Sequence, residues 1–300
     1  MRRVPLALAG LLLLTACGTQ SATSGSVPRP AHSSCGTEPS SGSGSGTDVD
    51  GVRILGAGTG PTVCTEFEVT NHEKVPSTFT ITFTLLSASR GALVNSTQTV
   101  PSVTPGRTVR RTFDLDGPVS DTDTTRVRIL KVRSVPADEA PSTGGPCPAS
   151  GAHVYADDGD AAMGLRVVGV RLVNCGSRTM RLHGYPQVQL FDEGHRPVTG
   201  VKILHGGSAI ATGTGADGPP GTVLLKPGEQ AYSVLVWRNT VEAGDPVNAP
   251  YVRIRAKTGA APVMVTPELD LGTTGRLGVG PWKKDTERGG VTNPSASTSP

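Results

Sequence analysis

The clearest pattern in this sequence is Thr78-Phe79-Thr80-Ile81-Thr82-Phe83-Thr84-Leu85. Threonine alternates with large apolar residues throughout this segment, which is the two-residue period of a strand with one buried and one wet face. Threonine, valine and serine recur in other short runs that Gly and Pro interrupt, and no long segment repeats apolar residues at helical spacing. The sequence therefore predicts an all-β protein.

Similar runs outward from this strand predict its neighbours. In the first half, strands are expected at 62–70, 96–103, 107–115 and 126–132. In the second half, strands are expected at 153–156, 164–173, 180–183, 188–191, 222–225, 231–237 and 251–256. Short strands separated by turn residues are typical of sandwiches, so we expect two tandem immunoglobulin-like β-sandwich domains.

Changes of composition predict the limits of these domains. The first sandwich is expected at 47–136 and the second at 147–284, joined by a Pro/Gly-rich linker at 137–146. Residues 17–46 are rich in Ser, Gly and Thr, and residues 285–300 are also polar. Neither segment has enough apolar surface to fold, so we expect a flexible N-terminal tether and a disordered C-terminal tail.

The N-terminus predicts export and a lipid anchor. Arg2 and Arg3 precede an apolar run from Val4 to Leu14, which is too short to cross a bilayer because spanning takes about 20 apolar residues. The segment Leu14-Thr15-Ala16-Cys17 resembles the bacterial lipobox. This resemblance implies that residues 1–16 are a signal peptide and that Cys17 carries a diacylglyceryl group, which is sufficient for stable anchoring. We expect the protein on the extracytoplasmic face of the cell membrane, with an ordinary secretory signal as the alternative.

Four further cysteines support an oxidising compartment. They fall into two pairs of nearly equal separation, Cys35 with Cys64 and Cys147 with Cys175, and we expect one disulfide bond in each half of the chain. A cysteine metal site is not expected, because the sequence has no Cys-x-x-Cys spacing.

The two halves also share short features. Each has an Asn near the end of an early strand, Asn71 and Asn174, and each has a Pro-Gly turn before a later strand, Pro105-Gly106 and Pro227-Gly228. Two interpretations remain open: the halves are related copies, or both use turns that are common to all β-sandwiches.

The second half resembles a known family. The segments that carry the resemblance are Val173-Asn174-Cys175-Gly176-Ser177-Arg178-Thr179, Arg181-Leu182-His183-Gly184-Tyr185-Pro186, Leu225-Lys226-Pro227-Gly228 and Val236-Trp237. They are similar to the actinobacterial domain-of-unknown-function 4232 family over about residues 147–284. The resemblance implies an exported, often lipid-anchored protein with no established activity. Many members have a cysteine where Met180 stands and pair it with a late one, whereas residues 248–255 contain none.

No motif predicts catalysis. Residues 213–218 match the dinucleotide pattern Gly-x-Gly-x-x-Gly, but Pro219-Pro220 follows where that pattern needs a helix. Ser208 lies near His205 and Asp217 but lacks the sharp nucleophile turn of hydrolases. We therefore expect neither an enzyme nor a cofactor.

Charge suggests partners only weakly. The formal charge of +3 is close to neutral, so no nucleic-acid partner is expected. Five arginines are expected on strands or strand ends of the first domain, and several of them alternate with apolar neighbours and should face solvent: Arg107, Arg110, Arg126, Arg128 and Arg133. Anionic wall polymers, lipid head groups or other envelope proteins are reasonable partners, with a merely solvated strand face as the alternative.

Two groups of residues suggest metal handling. The acidic cluster Asp157-Asp158-Gly159-Asp160 offers oxygen ligands to calcium, although it lacks EF-hand spacing. Candidate copper ligands in the same domain are Met163, Met180, His153 and His183. A solvated turn and core packing are the respective alternatives.

The long Gly-rich segment 206–221 predicts the binding site, because loops of more than about 12 residues are usually functional or mobile. We expect recognition around Tyr185, Gly206, Gly207, Gly213, Gly215 and Trp237. In the alternative, Tyr185 closes a corner and Trp237 belongs to the core. The sequence as a whole favours a noncatalytic binding or scaffolding lipoprotein of the cell envelope, with copper or calcium handling as the second hypothesis.

Overall fold

The structure is a computed structural model, and it describes residues 35, 48–58, 62–87, 89–116 and 126–286. The expected signal peptide, Cys17, nearly all of the expected tether and the tail beyond residue 286 lie outside the described residues. None of the described residues belongs to a helix with the length and hydropathy that spanning a bilayer requires.

The described residues form twenty strands and one short 3₁₀ turn. The strands of the first half are β1 (Val52–Ala57), β2 (Thr62–Thr70), β3 (Ser77–Leu86), β4 (Ala92–Val103), β5 (Thr108–Asp116) and β6 (Arg126–Pro136). Those of the second half are β7 (Ala152–Ala156), β8 (Asp160–Ala162), β9 (Leu165–Asn174), β10 (Met180–His183), β11 (Gln187–Phe191), β12 (Lys202–His205), β13 (Thr222–Leu225), β14 (Gln230–Arg238), β15 (Asn248–Ala249), β16 (Tyr251–Arg255), β17 (Val263–Val265), β18 (Leu269–Asp270), β19 (Arg276–Val279) and β20 (Lys283–Lys284). Every strand expected from the sequence is present, so the all-β prediction is confirmed.

The first half is a sandwich of two antiparallel three-stranded sheets, ordered β1-β2-β5 and β4-β3-β6. The alternation in β3 directs Phe79, Ile81, Phe83 and Leu85 into the space between the sheets, where all four are buried. Phe83 packs on rings from the opposite sheet, including that of Phe67 at 5.0 Å between ring centroids. Burial of each such side chain contributes about 1.5–3 kcal/mol, which explains why β3 fixes the position of this sheet.

The second half is a larger sandwich. One sheet has the order β12-β19-β14-β9-β7, with β20 paired to β14 and β8 paired to β9. The opposite layer contains the two-stranded sheet β10-β13 and the three-stranded sheet β11-β16-β17. Leu172, Leu235 and Trp237 from the first layer and Leu182 and Ile254 from the second are buried in one shared core.

Both predicted disulfide bonds are present and confirm the pairing. Cys35 is bonded to Cys64 with 5.4 Å between the Cα atoms, and Cys147 is bonded to Cys175 with 5.6 Å. The first bond attaches Cys35 to β2, and the second joins the start of the second half to the residue after β9. Each bond therefore constrains one half of the chain.

A buried asparagine organises one corner of the first sandwich. Asn71 is fully buried after β2, and its Nδ2 donates to the carbonyl oxygens of Val75 at 2.9 Å and Val103 at 2.7 Å. Its Oδ1 accepts the backbone N–H of Glu73 at 2.8 Å. Its own carbonyl accepts the N–H of Gly106 at 2.8 Å, which joins the corner to the Pro-Gly turn before β5.

The same set of hydrogen bonds recurs in the second sandwich. Asn174 donates from Nδ2 to the carbonyl oxygens of Arg178 at 2.9 Å and Leu225 at 2.8 Å, and its Oδ1 accepts the N–H of Gly176 at 3.1 Å. Its carbonyl accepts the N–H of Gly228 at 2.7 Å. In both sandwiches the local partners lie two and four residues after the Asn, and the distant carbonyl lies three residues before the Gly. The Asn and the Pro-Gly turn shared by the two halves therefore belong to one common corner.

Strand pairing shows the same correspondence. The pairs β2–β5 and β3–β4 in the first sandwich match β9–β14 and β10–β13 in the second. The pair β3–β6 matches β11–β16. The single strand β3 corresponds to two strands in the second half, β10 and β11, because Gly184, Tyr185 and Pro186 separate them.

The two sandwiches contact each other directly. A small apolar cluster joins Val135 of β6 to Phe191, Tyr251 and Met264 of the second half. Within the connecting segment, Glu139 forms an ion pair with Arg253 at 2.7 Å. The described residues from Cys35 onward form one compact unit.

Candidate functional site

The Gly-rich loop 206–221 connects β12 to β13 and is folded against the second sandwich. Gly207 is buried, and a Cβ on it would lie only 2.7 Å from the Cβ of Ala216. The N–H of Gly207 donates to Oδ1 of Asp217 at 3.1 Å. Lys283 closes the loop from β20, since its Nζ donates to the carbonyl oxygens of Gly215 at 2.8 Å and Asp217 at 2.7 Å. The loop therefore has a defined packing, in which Gly215 is exposed.

Tyr185 lies between β10 and β11 in the sequence and packs beside the beginning of this loop. Its ring stacks on His205, the residue before Gly206, with 4.3 Å between the ring centroids and 7° between the planes. Tyr185 is half-buried, as is Gly206, and Gly213 is exposed farther along the loop. The structure therefore brings together Tyr185 and the start of the loop.

Trp237 lies elsewhere. It is 2% exposed in the core, and its Nε1 donates to Oδ1 of Asp270 at 2.8 Å. Its neighbour Val236 packs with Ala216 of the loop, and alternation along β14 places the Trp237 ring on the opposite face of the sheet. Of the two interpretations of Trp237, the structure supports the one in which it belongs to the core.

The loop also forms one wall of a pocket of about 430 Å³, which we call the loop pocket. Its lining residues are Ala209, Ile210, Arg238, Glu242, Ala243, Thr273, Thr274 and Arg276. Ala209 and Ile210 belong to the loop, Arg238 ends β14 and Arg276 begins β19. The pocket is thus built at one end of the large sheet by segments that are far apart in sequence.

Strand register sets the two arginines opposite each other. The β14–β19 ladder pairs Leu235 with Val279 and Val236 with Gly278, and extending it by two residues places Arg238 opposite Arg276. Both side chains then point to the same face of the sheet as Val236, which is the face that the loop covers.

A tight turn holds the hydroxyl groups of the pocket. Gly272 has φ +54°, and a Cβ there would collide with the carbonyl oxygen of Thr240. After this turn, Thr273 Oγ1 accepts the N–H of Glu242 at 2.8 Å, and Thr274 Oγ1 contacts the carbonyl oxygen of Arg238 at 3.2 Å. These bonds fix the backbone on both sides of the pocket.

The charges of the loop pocket favour an anion. Arg238 is half-buried and its Nε makes a 3.4 Å hydrogen bond to the carbonyl oxygen of Ile210, while Arg276 is exposed. Neither guanidinium forms an ion pair with any residue that the structure describes, and Glu242 contributes a single carboxylate to the lining. Each guanidinium group presents its donors in the geometry that carboxylate and phosphate oxygens accept.

None of Arg238, Glu242, Thr273, Thr274 and Arg276 was expected from the sequence to line a site. Two sequence features could have pointed to these residues. Arg238 lies at the end of a predicted strand, and two glycines flank the threonines in Gly272-Thr273-Thr274-Gly275. Neither indicates that the two segments meet, because that depends on the register of β14 and β19.

The arginines of the first sandwich do not form one surface. Arg110 of β5 lies 3.5 Å from Glu68, and Arg126 and Arg128 lie on β6 in the other sheet. Arg133 differs from the expectation of solvent exposure, because its side chain is only 11% exposed and bound to Glu268.

In the candidate calcium cluster, one carboxylate already has protein partners and two are exposed. Asp157 accepts the N–H of Gly169 at 2.7 Å and lies 3.3 Å from Arg171, whereas Asp158 and Asp160 are exposed. In the described residues, no three His, Cys, Asp or Glu side chains are placed to hold a metal ion.

The four candidate copper ligands have separate surroundings. Met163 is fully exposed, and Met180 packs against the core. His153 is buried with Nδ1 2.8 Å from Ser142 Oγ, and Nδ1 of the exposed His183 lies 3.1 Å from a threonine hydroxyl. Metal handling stays a prediction that metal analysis of chelator-free protein would test.

A second cleft, of about 420 Å³, lies between the sandwiches. His72 and Glu73 line it from the first half, and Glu193, His195 and Tyr251 line it from the second. Nε2 of His195 lies 2.9 Å from the carbonyl oxygen of Ser134, and burial raises the pKa of the Tyr251 hydroxyl. Several of these groups hold the two sandwiches together, so this cleft is part of the interface between them.

Comparison with known proteins bears on the second sandwich. The model of the family described as "Domain of unknown function (DUF4232)" matches residues 147–283, which include Tyr185, the Gly-rich loop and all lining residues of the loop pocket. A comparison with curated proteins found no match. The second sandwich is therefore similar to the DUF4232 family, as its sequence motifs indicated, and the description of that family names no activity.

Proposed function

We propose that this protein is a noncatalytic binding protein of the bacterial cell envelope. A lipid on Cys17 anchors it at the extracytoplasmic face of the cell membrane, and two tandem immunoglobulin-like domains carry the binding surface. The lipobox-like segment supports the anchor, and the two disulfide bonds support an oxidising compartment. The shared asparagine corner and strand pairing support related domains.

The loop pocket is the proposed binding site. The observation that carries this proposal is the pair Arg238 and Arg276, which line one pocket without an ion-pair partner in the described parts of the chain. A ligand that presents a phosphate or carboxylate group satisfies both guanidinium groups through charge-assisted hydrogen bonds. Among the partners expected from the sequence, an anionic wall polymer has this chemistry.

The test is retention of the anchored protein on wall polymer isolated from its own envelope. Arg276→Ala should lower retention by roughly 10-fold to 100-fold, because hydrogen bonds to charged groups contribute about 1.5–3 kcal/mol each. Arg196→Ala is the matched control, since Arg196 is 81% exposed and pairs only with Asp192 in the described residues. Raised salt should weaken binding of the native protein.

Point variants are preferable to removal of the loop. Gly207 and Ala216 are buried, and Lys283 binds two loop carbonyls, so a short Gly/Ser replacement of 206–221 also disturbs the sheet. If Arg276→Ala and the double variant Arg238→Ala/Arg276→Ala both fold and retain wall polymer as the native protein does, the loop pocket is not the site.

A further inference from the structure

The strand β4 forms an edge of its sheet. It pairs with β3 on one side, and on the other side it pairs with no strand that the structure describes. The exposed N–H and C=O groups of an edge strand are a template for pairing with another chain.

The composition of β4 sets it apart from the other long edges. Its twelve residues, Ala-Leu-Val-Asn-Ser-Thr-Gln-Thr-Val-Pro-Ser-Val, include no charged side chain. The edge strand β5 carries Arg110, Arg111 and Asp114, and the edge strand β6 carries several basic residues. Charged side chains and proline are usual protections of an edge against pairing. The strand β4 has no charged side chain, and its one proline, Pro101, lies after Val100 near the end of the strand.

The regular part of β4 has a defined centre. Its register with β3 shifts between Leu85 and Leu86 and again between Ser77 and Phe79. Between these irregularities, Val94 to Val100 pair with β3 without interruption, and the middle residue of this segment is Thr97. Since bulges end regular pairing, the segment available to a partner is the same seven residues.

We propose that β4 pairs antiparallel with β4 of a second copy, with the two-fold axis at Thr97. This register sets Val94 opposite Val100, Asn95 opposite Thr99, and Ser96 opposite Gln98, while Thr97 faces its own copy. Every pair is uncharged, and the pair of Thr97 with its own copy is a favourable cross-strand pair, because two threonine hydroxyl groups can form a hydrogen bond. The sheets β4-β3-β6 of the two copies then form one continuous six-stranded sheet.

Exposure along β4 agrees with this pairing. Asn95, Thr97 and Thr99 are exposed on the outer face, and Val94 is half-buried at the edge of the sandwich core. A second β4 covers the remaining surface of Val94 and supplies partners to the free backbone groups. A two-fold interface uses the same patch on both copies, as β4 does here. The interface involves no residue of the loop pocket, so the two proposals stand independently.

The first test is a single cysteine on the proposed axis. In the anchored full chain, Thr97→Cys should give a covalent dimer of doubled mass without reductant. Opposed Cα atoms in an antiparallel pair are about 4.5–5.5 Å apart, which is within disulfide range. Thr99→Cys is the matched control on the same face, because it faces Asn95 of the second copy and should stay largely monomeric. Peptide mapping checks that the two native disulfide bonds persist.

The second test is a charge on the axis. Thr97→Lys places two ammonium groups opposite each other, and the detergent-solubilised protein should shift from dimer to monomer in light scattering. Thr112→Lys, at an exposed position of β5 in the other sheet, should leave the dimer intact. The proposal is overturned if the native protein is monomeric across a concentration series, if Thr97→Lys stays dimeric, or if Thr99→Cys crosslinks as well as Thr97→Cys.

Discussion

At the scale of single residues, each of the two buried asparagines holds several separate backbone segments together. Each side chain joins a strand end, a local turn and a strand 32 or more residues away, through three hydrogen bonds. An aspartate has no donors for the two carbonyl groups, and an apolar residue leaves them buried without a partner. Asparagine is therefore needed at both positions for the same physical reason.

The corner predicts a large effect of one substitution. Asn174→Ala should lower the free energy of unfolding of the second sandwich by about 3 kcal/mol, because buried carbonyl and N–H groups lose their partners. Both tryptophans of the chain, Trp237 and Trp282, are buried in this sandwich, so denaturant unfolding followed by fluorescence measures it directly. Gln189→Ala, an exposed amide on β11, is the control and should change little. An equal, small effect of both variants would contradict this role of Asn174.

A second residue-scale prediction concerns the anchor. Cys17→Ala should release the protein from the membrane or leave it as an unprocessed precursor, because the thiol that receives the lipid is absent. Membrane fractionation and intact mass measure both outcomes. A mutant that remains membrane-bound, mature in size and labelled by lipid precursor would exclude anchoring through Cys17.

At the scale of elements, strands with strict local alternation were predictable and strands defined by distant partners were not. The eight-residue alternation in 78–85 lies within β3 as expected, because the pattern itself separates the buried from the wet face. The segment Lys202-Ile203-Leu204-His205 has no such alternation, and it becomes β12 by pairing in parallel with β19. Its partner strand begins only at Arg276.

The same limit applies to the candidate site. Length and composition indicated the loop 206–221 from the sequence alone, and Tyr185 was a candidate because its ring offers broad contact area with a polar tip. Arg238 and Arg276 line one pocket because the β14–β19 register places them opposite each other, and no local sequence pattern predicts that register. Trp237 was misleading as a binding candidate because an aromatic residue in an apolar strand fits a core equally well.

The turn before β14 predicts a pH dependence. Glu229 Oε2 lies 2.8 Å from Lys284 Nζ and accepts the N–H of Lys226 at 2.8 Å, and the bond from Lys284 is the main reason that the pKa of Glu229 lies below its ordinary value. A lowered folded-state pKa contributes stability above the unfolded pKa, and this stability is lost as pH falls through the folded pKa. Glu229→Gln should therefore lower Tm at neutral pH, with the difference from the native protein shrinking below about pH 4.

Thermal unfolding followed by tryptophan fluorescence across this pH range measures the difference. Glu242→Gln is the control, because the Glu242 carboxylate makes no ion pair within the described residues and its variant should follow the native pH profile. A Tm difference for Glu229→Gln that stays constant from neutral to acid pH would show that the ion pair with Lys284 does not stabilise the turn.

At the scale of the whole molecule, one arginine joins the two sandwiches. Arg133 Nε and Nη2 each donate to Glu268 at 2.7 Å, and Nη1 lies 3.0 Å from Glu193. Partial burial alone lowers the pKa of the guanidinium, but its bonds and charges, those of Glu268 above all, raise it above the ordinary value. The guanidinium also lies 5.7 Å from the ring centroid of Tyr251 in the apolar cluster of the interface. Arg133 therefore connects the strand β6 to the second sandwich through both charge and packing.

This arrangement predicts that Arg133 couples the unfolding of the two sandwiches. In the native protein, circular dichroism, which reports both sandwiches, and tryptophan fluorescence, which reports the second, should give coincident transitions. Arg133→Ala removes both hydrogen bonds to Glu268 and leaves that carboxylate without its main partner. The loss should weaken the interface by about 1.5–3 kcal/mol, so the two transitions should separate.

A protease should also cut Arg133→Ala faster than the native protein within residues 137–146, because Glu139 then loses the fixed position that its bond to Arg253 requires. Arg128→Ala, at an exposed position of the same strand, is the control and should keep both native behaviours. Transitions that already differ in the native protein, or that remain coincident in Arg133→Ala, would show that the sandwiches are not coupled through this residue.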